Sequence, residues 1–373
     1  MRDAVFVVTN RQLTTDHRTG EVSVGDEPNR AGPNELRLLA AEGGPGEWRL
    51  RAVPDTTNRA RFHELGVEPI TRKRPYLGSD LAAAIVLDRL RTHDRNLVVF
   101  VHGYNNTLRD ALDRAHRLAK TYDVEVVVFS WPANGGGKRF LEDVHGLASY
   151  KWDKHDARAA TGAFDKLLAR LGILLKDINQ ARHQDLEAEA RDRFPDDRAK
   201  QRDHLARLVR RRVCPFRVTL LTHSMGNYLF KKTLLASSER LSSDVIFDNV
   251  ILKAADANHA DHSAWVERIR ARRRVYITIN QDDRALWLSD AKLGDEQRPR
   301  LGNTLKHQNA ANATSLDATR LVGDAHSYFD AEDIEPSGAA AKPLTDFFTR
   351  ALNGEIAEEG LRYKAANNTY LLE

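Results

Sequence analysis

The sequence predicts an α/β protein: a mostly parallel sheet with helices on both faces and one charged helical insertion. Three observations predict it. Short continuous apolar runs, such as Asn96–Gly103, Val124–Pro132 and Phe216–Gly226, suit strands buried on both faces. Segments with apolar residues at helical spacing stand between such runs. The side chains with chemistry to offer come just after the runs, where open α/β sheets bind ligands.

The elements follow in order. Ala4–Arg11 reads as an apolar strand and Glu47–Val53 as an exposed or edge strand. Gly44, Pro45 and Gly46 mark a turn between them. Ser79–Leu90 reads as a helix, with Ser79 or Asp80 as its N-cap. After the strand Asn96–Gly103, one helical stripe carries Leu108, Ala111, Leu112, Ala115 and Leu118. Ala157–Ile178 reads as one long amphipathic helix. Phe216–Gly226 runs through a sharp turn into a helix from Asn227 to about Ser237. Val245–Asp256 and Arg273–Asp283 are two further strands, and Ala339–Leu352 is a closing helix. The reading is a single domain over 1–373, with a polar, loosely held C-terminal tail at 354–373.

Composition narrows the class. At 373 residues the chain can bury a large core without disulfides or structural metals. A mean hydropathy of −0.54 and the lack of a long apolar run argue against a membrane span. The opening residues lack a secretory pattern, and the single cysteine, Cys214, excludes an internal disulfide and any CxxC zinc site. Both features lead to the expectation of a cytoplasmic protein. Net charge is only +4, and residues 182–212, with ten Lys/Arg against seven Asp/Glu, hold +3 of it. Nucleic acid is therefore not an expected partner.

Four segments carry the chemistry. Ser224, in Thr222-His223-Ser224-Met225-Gly226, sits between a buried strand and a helix, as the serine of a G-x-S-x-G nucleophile elbow does. The residues two before and two after such a serine must be small. Gly226 complies; Thr222 departs from the usual glycine while remaining small. His102, Gly103 and Tyr104 follow an earlier strand. The backbone N–H groups of Tyr104 and Met225 occupy the two positions that supply oxyanion donors in acyl transfer, and His102, Gly103 and Gly226 support them. Asp283 ends a strand after the serine and before the last histidine; Asp256, at the end of the preceding strand, is the alternative acid. His326 completes the order Ser, Asp, His as a general base.

As a set, VFVHGYNNT (Val99–Thr107), FSWPANG (Phe129–Gly135), THSMGN (Thr222–Asn227), DDRALWLS (Asp282–Ser289) and HSYF (His326–Phe329) resemble the DUF900 group of α/β-hydrolases. These are bacterial hydrolases of uncharacterised substrate. The opening VVTNR (Val7–Arg11) adds to the likeness, which covers about residues 5–350. The resemblance implies an α/β-hydrolase fold with Ser224 as nucleophile, His326 as base and Asp283 as acid. It does not imply a substrate.

The expected activity is hydrolysis of a small-molecule carboxylic ester or acyl substrate through an acyl-enzyme, with no metal or organic cofactor. A non-enzymatic binding or scaffold protein on a hydrolase fold stays open, as do an acyltransferase, thioesterase, amidase or peptidase. The insertion Asp177–Val213 reads either as a lid touching anionic lipid or as a solvated helical hairpin; its interleaved charges favour the hairpin. Asp256, His259, Asp261 and His262 lack a recognised metal-ligand spacing and read as a polar loop at the site's mouth. Trp131, Trp152 and Trp287 read as core or rim packing, and Tyr150–Asp153 as a loop capping the site.

Overall fold

The computed structural model describes residues 1–71, 74–133, 147–211, 216–237, 245–290, 299–329 and 341–373. Its strands are β1 (Val5–Thr9), β2 (Arg11–Thr15), β3 (Val22–Pro28), β4 (Arg37–Glu42), β5 (Arg49–Ala52), β6 (Thr56–Thr57), β7 (Tyr76–Leu77), β8 (Asn96–Val101), β9 (Val124–Ser130), β10 (Val218–His223), β11 (Phe247–Lys253), β12 (Ala271–Ile279), β13 (Ala313–Asp317), β14 (Arg362–Lys364) and β15 (Thr369–Leu371). Among the described residues an eleven-stranded sheet runs β14-β15-β13-β12-β11-β10-β8-β9-β1-β4-β5. From β15 to β1 neighbouring strands pair in parallel; β4, β5 and β14 join antiparallel at the two edges.

The helices that matter for the site are α1 (Arg59–Glu64), α2 (Gly78–His93), α3 (Leu108–Tyr122), α4 (Leu147–Ala159), α5 (Thr161–Arg193), α6 (Arg198–Arg211) and α7 (Met225–Ala236). They pack on both faces of the sheet and bury two apolar clusters. One lies under α2, α5 and α7; the other lies under α3 and the helix Lys342–Leu352. The stripe Leu108, Ala111, Leu112, Ala115 and Leu118 is buried, as its spacing requires. Thr107 caps α3 by accepting the Asp110 N–H, while the Asp110 carboxylate accepts the Thr107 N–H.

Strand order fixes where a ligand can sit. The chain passes from β8 outward to β9, then returns through α4, α5 and α6 to β10 on the opposite side of β8. The order therefore reverses between β8 and β10. The crevice above such a switch point is the usual ligand site of an open α/β sheet.

Several elements differ from the sequence reading. The first strand stops at Thr9, and Arg11 opens a separate hairpin of β2 and β3. The helix α2 starts at Gly78 with Leu77 as N-cap, rather than Ser79 or Asp80. Asp80 instead accepts the Leu77 N–H at 2.8 Å from inside the first turn, and Ser79 Oγ accepts from Arg170. The expected helix Ala157–Ile178 is two helices broken at Ala160. Gly162 sits at the junction because its backbone presses on Asn34, where a Cβ would lie 2.5 Å from Oδ1. The segment Tyr150–Asp153 is part of α4, not a loop. The C-terminal tail is not loose: β15 pairs with β13 and completes the sheet, burying Thr369 and Leu372. Burial there falls on Thr369 and on Leu372 just past the strand, which a polar composition conceals. The charged insertion forms a helical hairpin from the end of α5 and α6. Residues 212–213 of it, Cys214, Asn134, Gly135 and the first residues of the closing helix lie outside the described residues. No described helix is long and apolar enough to cross a membrane.

Candidate active site

Ser224 stands between the last residue of β10 and the first of α7, at φ 52° and ψ −123°. Non-glycine residues rarely occupy this region, and the surrounding structure must hold them there. Here the hold is explicit. The Ser224 N–H donates to Lys253 O at 3.1 Å, and Ser224 O accepts from the N–H groups of Asn227 and Asp256. Asn227 is fully buried. Its Nδ2 donates to the carbonyls of Thr222, Ser224 and Lys253 at 3.1–3.2 Å. Thr222 Oγ1 donates to Asn227 Oδ1 at 2.7 Å. The threonine in place of glycine thus has its own job: its hydroxyl orients the amide that pins the turn.

Close approach explains the two glycines. A Cβ on Gly226 would lie 2.8 Å from His102 O and 2.9 Å from Val101 O. A Cβ on Gly103 would lie 2.6 Å from Ser224 Cβ. The loop after β8 therefore lies against the serine, with Tyr104 next in the chain. Met225 is the first residue of α7, where a backbone N–H has no acceptor within the helix.

His102 is buried beneath this loop. Its Nε2 accepts the Trp131 N–H at 3.2 Å and its Nδ1 lies 3.0 Å from Gly103 O, so the proton sits on Nδ1. Trp131 stacks flat on the ring and donates Nε1–H to His102 O. Burial, with the charge of Arg11 nearby, pushes the His102 pKa down to about 3. It is a neutral spacer. Arg11, 1 % exposed, reaches under the same loop and donates to Asn106 O at 2.7 Å and Ser130 Oγ at 3.0 Å. Its desolvation lowers its pKa to about 10, which leaves it charged at neutral pH. From above, Asp153 on α4 accepts the Asn105 N–H at 3.0 Å, and Tyr150 meets the Tyr104 ring at 5.7 Å.

Asp283 and His326 meet across the end of β12. His326 Nδ1 lies 2.7 Å from Asp283 Oδ2 and 3.0 Å from Oδ1, and Asp283 is wholly buried. Asn280 holds the histidine loop by donating to Gly323 O and Ala325 O at 2.9 Å. Arg114 donates to Ser327 Oγ at 2.8 Å. The His326 ring packs on the buried ring of His223, centroids 4.9 Å apart. Lys253 Nζ donates to His326 O and lies over the Tyr328 ring at 4.0 Å. Burial first, then the charge of Lys253, holds the His223 pKa well below its usual value.

The alternative acid, Asp256, has a different set of partners. Its carboxylate accepts from Tyr150 OH at 3.0 Å and Ser289 Oγ at 2.8 Å, and lies 3.2 Å from Arg300 Nε. Asp290 shares the same arginine at 3.3 Å. Tyr150, desolvated beside Asp256, has its pKa raised and stays protonated. Among the polar loop residues, His259 and His262 pack ring on ring at 4.8 Å, and His262 Nδ1 bonds His259 O. No group of three or more metal-type ligands occurs among the described residues. Trp131 is core, whereas Trp287 is 64 % exposed.

The structure thus brings Ser224, Met225, Gly226, His102, Gly103 and Tyr104 together above the β8–β10 switch point. It brings His326 and Asp283 together at the end of β12, two strands along the sheet from β10. Sequence reasoning quoted Asn227 and Arg11 inside motifs but gave them no role, and missed Lys253. A buried amide one turn after the serine was a readable signal; a lysine ending an apolar strand was a weaker one.

The family model for α/β hydrolases of unknown function (DUF900) matches residues 80–179 and 197–346. The chain belongs to this family. The two matched segments contain every residue of the cluster just described except Arg11. The α/β-hydrolase fold read from the sequence is the fold of the family and of the structure. No curated protein and no solved structure matches the chain.

Proposed function

We propose that this α/β hydrolase is a serine hydrolase that cleaves a carboxylic ester through an acyl-enzyme. The observation that carries the reading is the Asp283–His326 pair, whose histidine packs on His223, the residue before a serine held at positive φ. Asp283 accepts from Nδ1 of His326, which leaves Nε2 as the basic nitrogen. That nitrogen takes the Ser224 proton as Oγ attacks the ester carbonyl. The N–H groups of Tyr104 and Met225 receive the oxyanion, and the leaving alcohol takes the proton from His326. Water, deprotonated by the same histidine, then attacks the acyl-enzyme and frees Ser224. The buried, hydrogen-bonded elbow supports the reading because it fixes the nucleophile before substrate arrives, so no reorganisation is required at the moment of reaction.

Labelling with a fluorophosphonate probe tests the proposal. Wild type labels, while Ser224→Ala and His326→Ala do not, and hydrolysis of short p-nitrophenyl esters falls about a millionfold in the serine variant. A folded wild type that neither labels nor turns over any acyl ester would sink the proposal and favour a binding protein on the same scaffold.

A further inference from the structure

A cavity lies away from Ser224. It occupies about 410 Å³ between α2, α5 and the β1 side of the sheet, and neither Ser224 nor His326 lines it. Ala83, Val86 and Leu90 form one wall at helical spacing, and Leu171, Leu174 and Ile178 form the other. Phe6 and Val127 make the floor. The walls run side by side from Ser79 to Leu90 and from Leu167 to Ile178, about 16 Å at ~1.5 Å per residue. Protein interiors hold few voids larger than a water molecule, whereas ligand sites occupy about 300–1,000 Å³. A cavity of this size, lined by carbon along its length, has the dimensions of a binding site rather than of a packing defect.

One end is polar. Arg170 lines it, its Nε donating to Ser79 Oγ at 2.9 Å and its Nη2 pairing with the buried Asp80. These two bonds fix the guanidinium, and Arg37 and Asp55 line the same cavity. The N-terminal turn of α2 opens at the same end, adding partial positive charge. A lining of carbon over about 16 Å suits a single alkyl chain.

We propose that this cavity binds one long-chain carboxylate, its alkyl chain between α2 and α5 and its carboxylate at Arg170. The site does not depend on the activity proposed for Ser224. The test is fluorescence titration of the full-length protein with cis-parinaric acid, followed by competition with palmitate and with methyl palmitate. Wild type binds one probe per chain, and palmitate displaces it. Ala83→Trp, which fills the slot, weakens binding at least about tenfold; Leu171→Trp serves if the first variant fails to fold. Arg170→Gln weakens palmitate about tenfold and leaves methyl palmitate unchanged, the value of one charge-assisted hydrogen bond. Ser224→Ala binds as wild type does. No saturable binding by wild type, undiminished binding by both tryptophan variants, or loss of binding in Ser224→Ala would overturn the proposal. An Arg170→Gln variant that binds palmitate as wild type does would overturn the carboxylate assignment.

Discussion

Asp256 and Asp283 end neighbouring parallel strands, are both buried, and are equally plausible acids by position. Their partners separate them. Asp283 faces one imidazole, a ring that can take up and release a proton. Asp256 faces a guanidinium and two hydroxyls, none of which changes charge in the physiological range. The first carboxylate can answer a proton moving nearby; the second can only hold a static charge in place. Strand-end position therefore nominates an acid, and the permanence of the charge opposite it decides the role.

Removing each acid should expose the difference. Asp283→Asn keeps the shape but favours the wrong histidine tautomer, so ester turnover falls about 10⁴-fold with little change in melting temperature. Asp256→Ala should do the reverse. It removes one of the two carboxylates beside Arg300 and the acceptor shared by the Tyr150 and Ser289 hydroxyls, at about 3–5 kcal/mol in urea unfolding, while the folded fraction keeps turnover within about tenfold. If Asp256→Ala lost turnover and kept stability, the assignment of the two acids would be reversed.

Acid should act on the first region through its neutral histidines. The folded pKa of His102 lies near 3, below its unfolded value of about 6.5, so the unfolded chain binds more protons between those pH values. Its contribution is complete above about pH 6.5 and is lost as pH falls. Urea unfolding at pH 6.5 and pH 5 should differ by about 2 kcal/mol from this residue alone. His223, shifted the same way, adds to the loss. A stability that is flat from pH 7 to 5 would contradict the neutral, buried state of both rings.

The smallest effect expected is at Thr222. Thr222→Val preserves shape and removes the hydroxyl that Asn227 Oδ1 accepts, for about 1–2 kcal/mol. Because Asn227 then loosens its grip on the turn, probe labelling of Ser224 should slow severalfold. Labelling at the wild-type rate would show that the three Nδ2 bonds suffice.

Much of this was legible beforehand. The strands Asn96–Val101, Val124–Ser130 and Val218–His223 are apolar on both faces and bounded by turns, so their runs could hardly read otherwise. The Ser224, His326 and Asp283 positions followed from the motifs at their ends. What could not be read was partnership. Nothing in the local sequence of Asp256 mentions Arg300, 44 residues on, and nothing around Arg11 mentions Asn106. The tail misled for a related reason: β15 pairs with a strand 54 residues earlier, and that pairing buries Thr369.

Lys253 has a consequence for motion. Its carbonyl accepts the Ser224 N–H and the Asn227 side chain, while its ammonium donates to His326 O. The serine turn and the histidine loop are thereby fastened to one residue of β11. Local opening that frees either must release the other, so the two form a single cooperative unit. Amide hydrogen exchange at Ser224 and in the segment around His326 should then share one opening free energy and respond together to urea. A hydrolase with loosely tethered loops would lose its constellation piece by piece; this one loses it all at once or not at all.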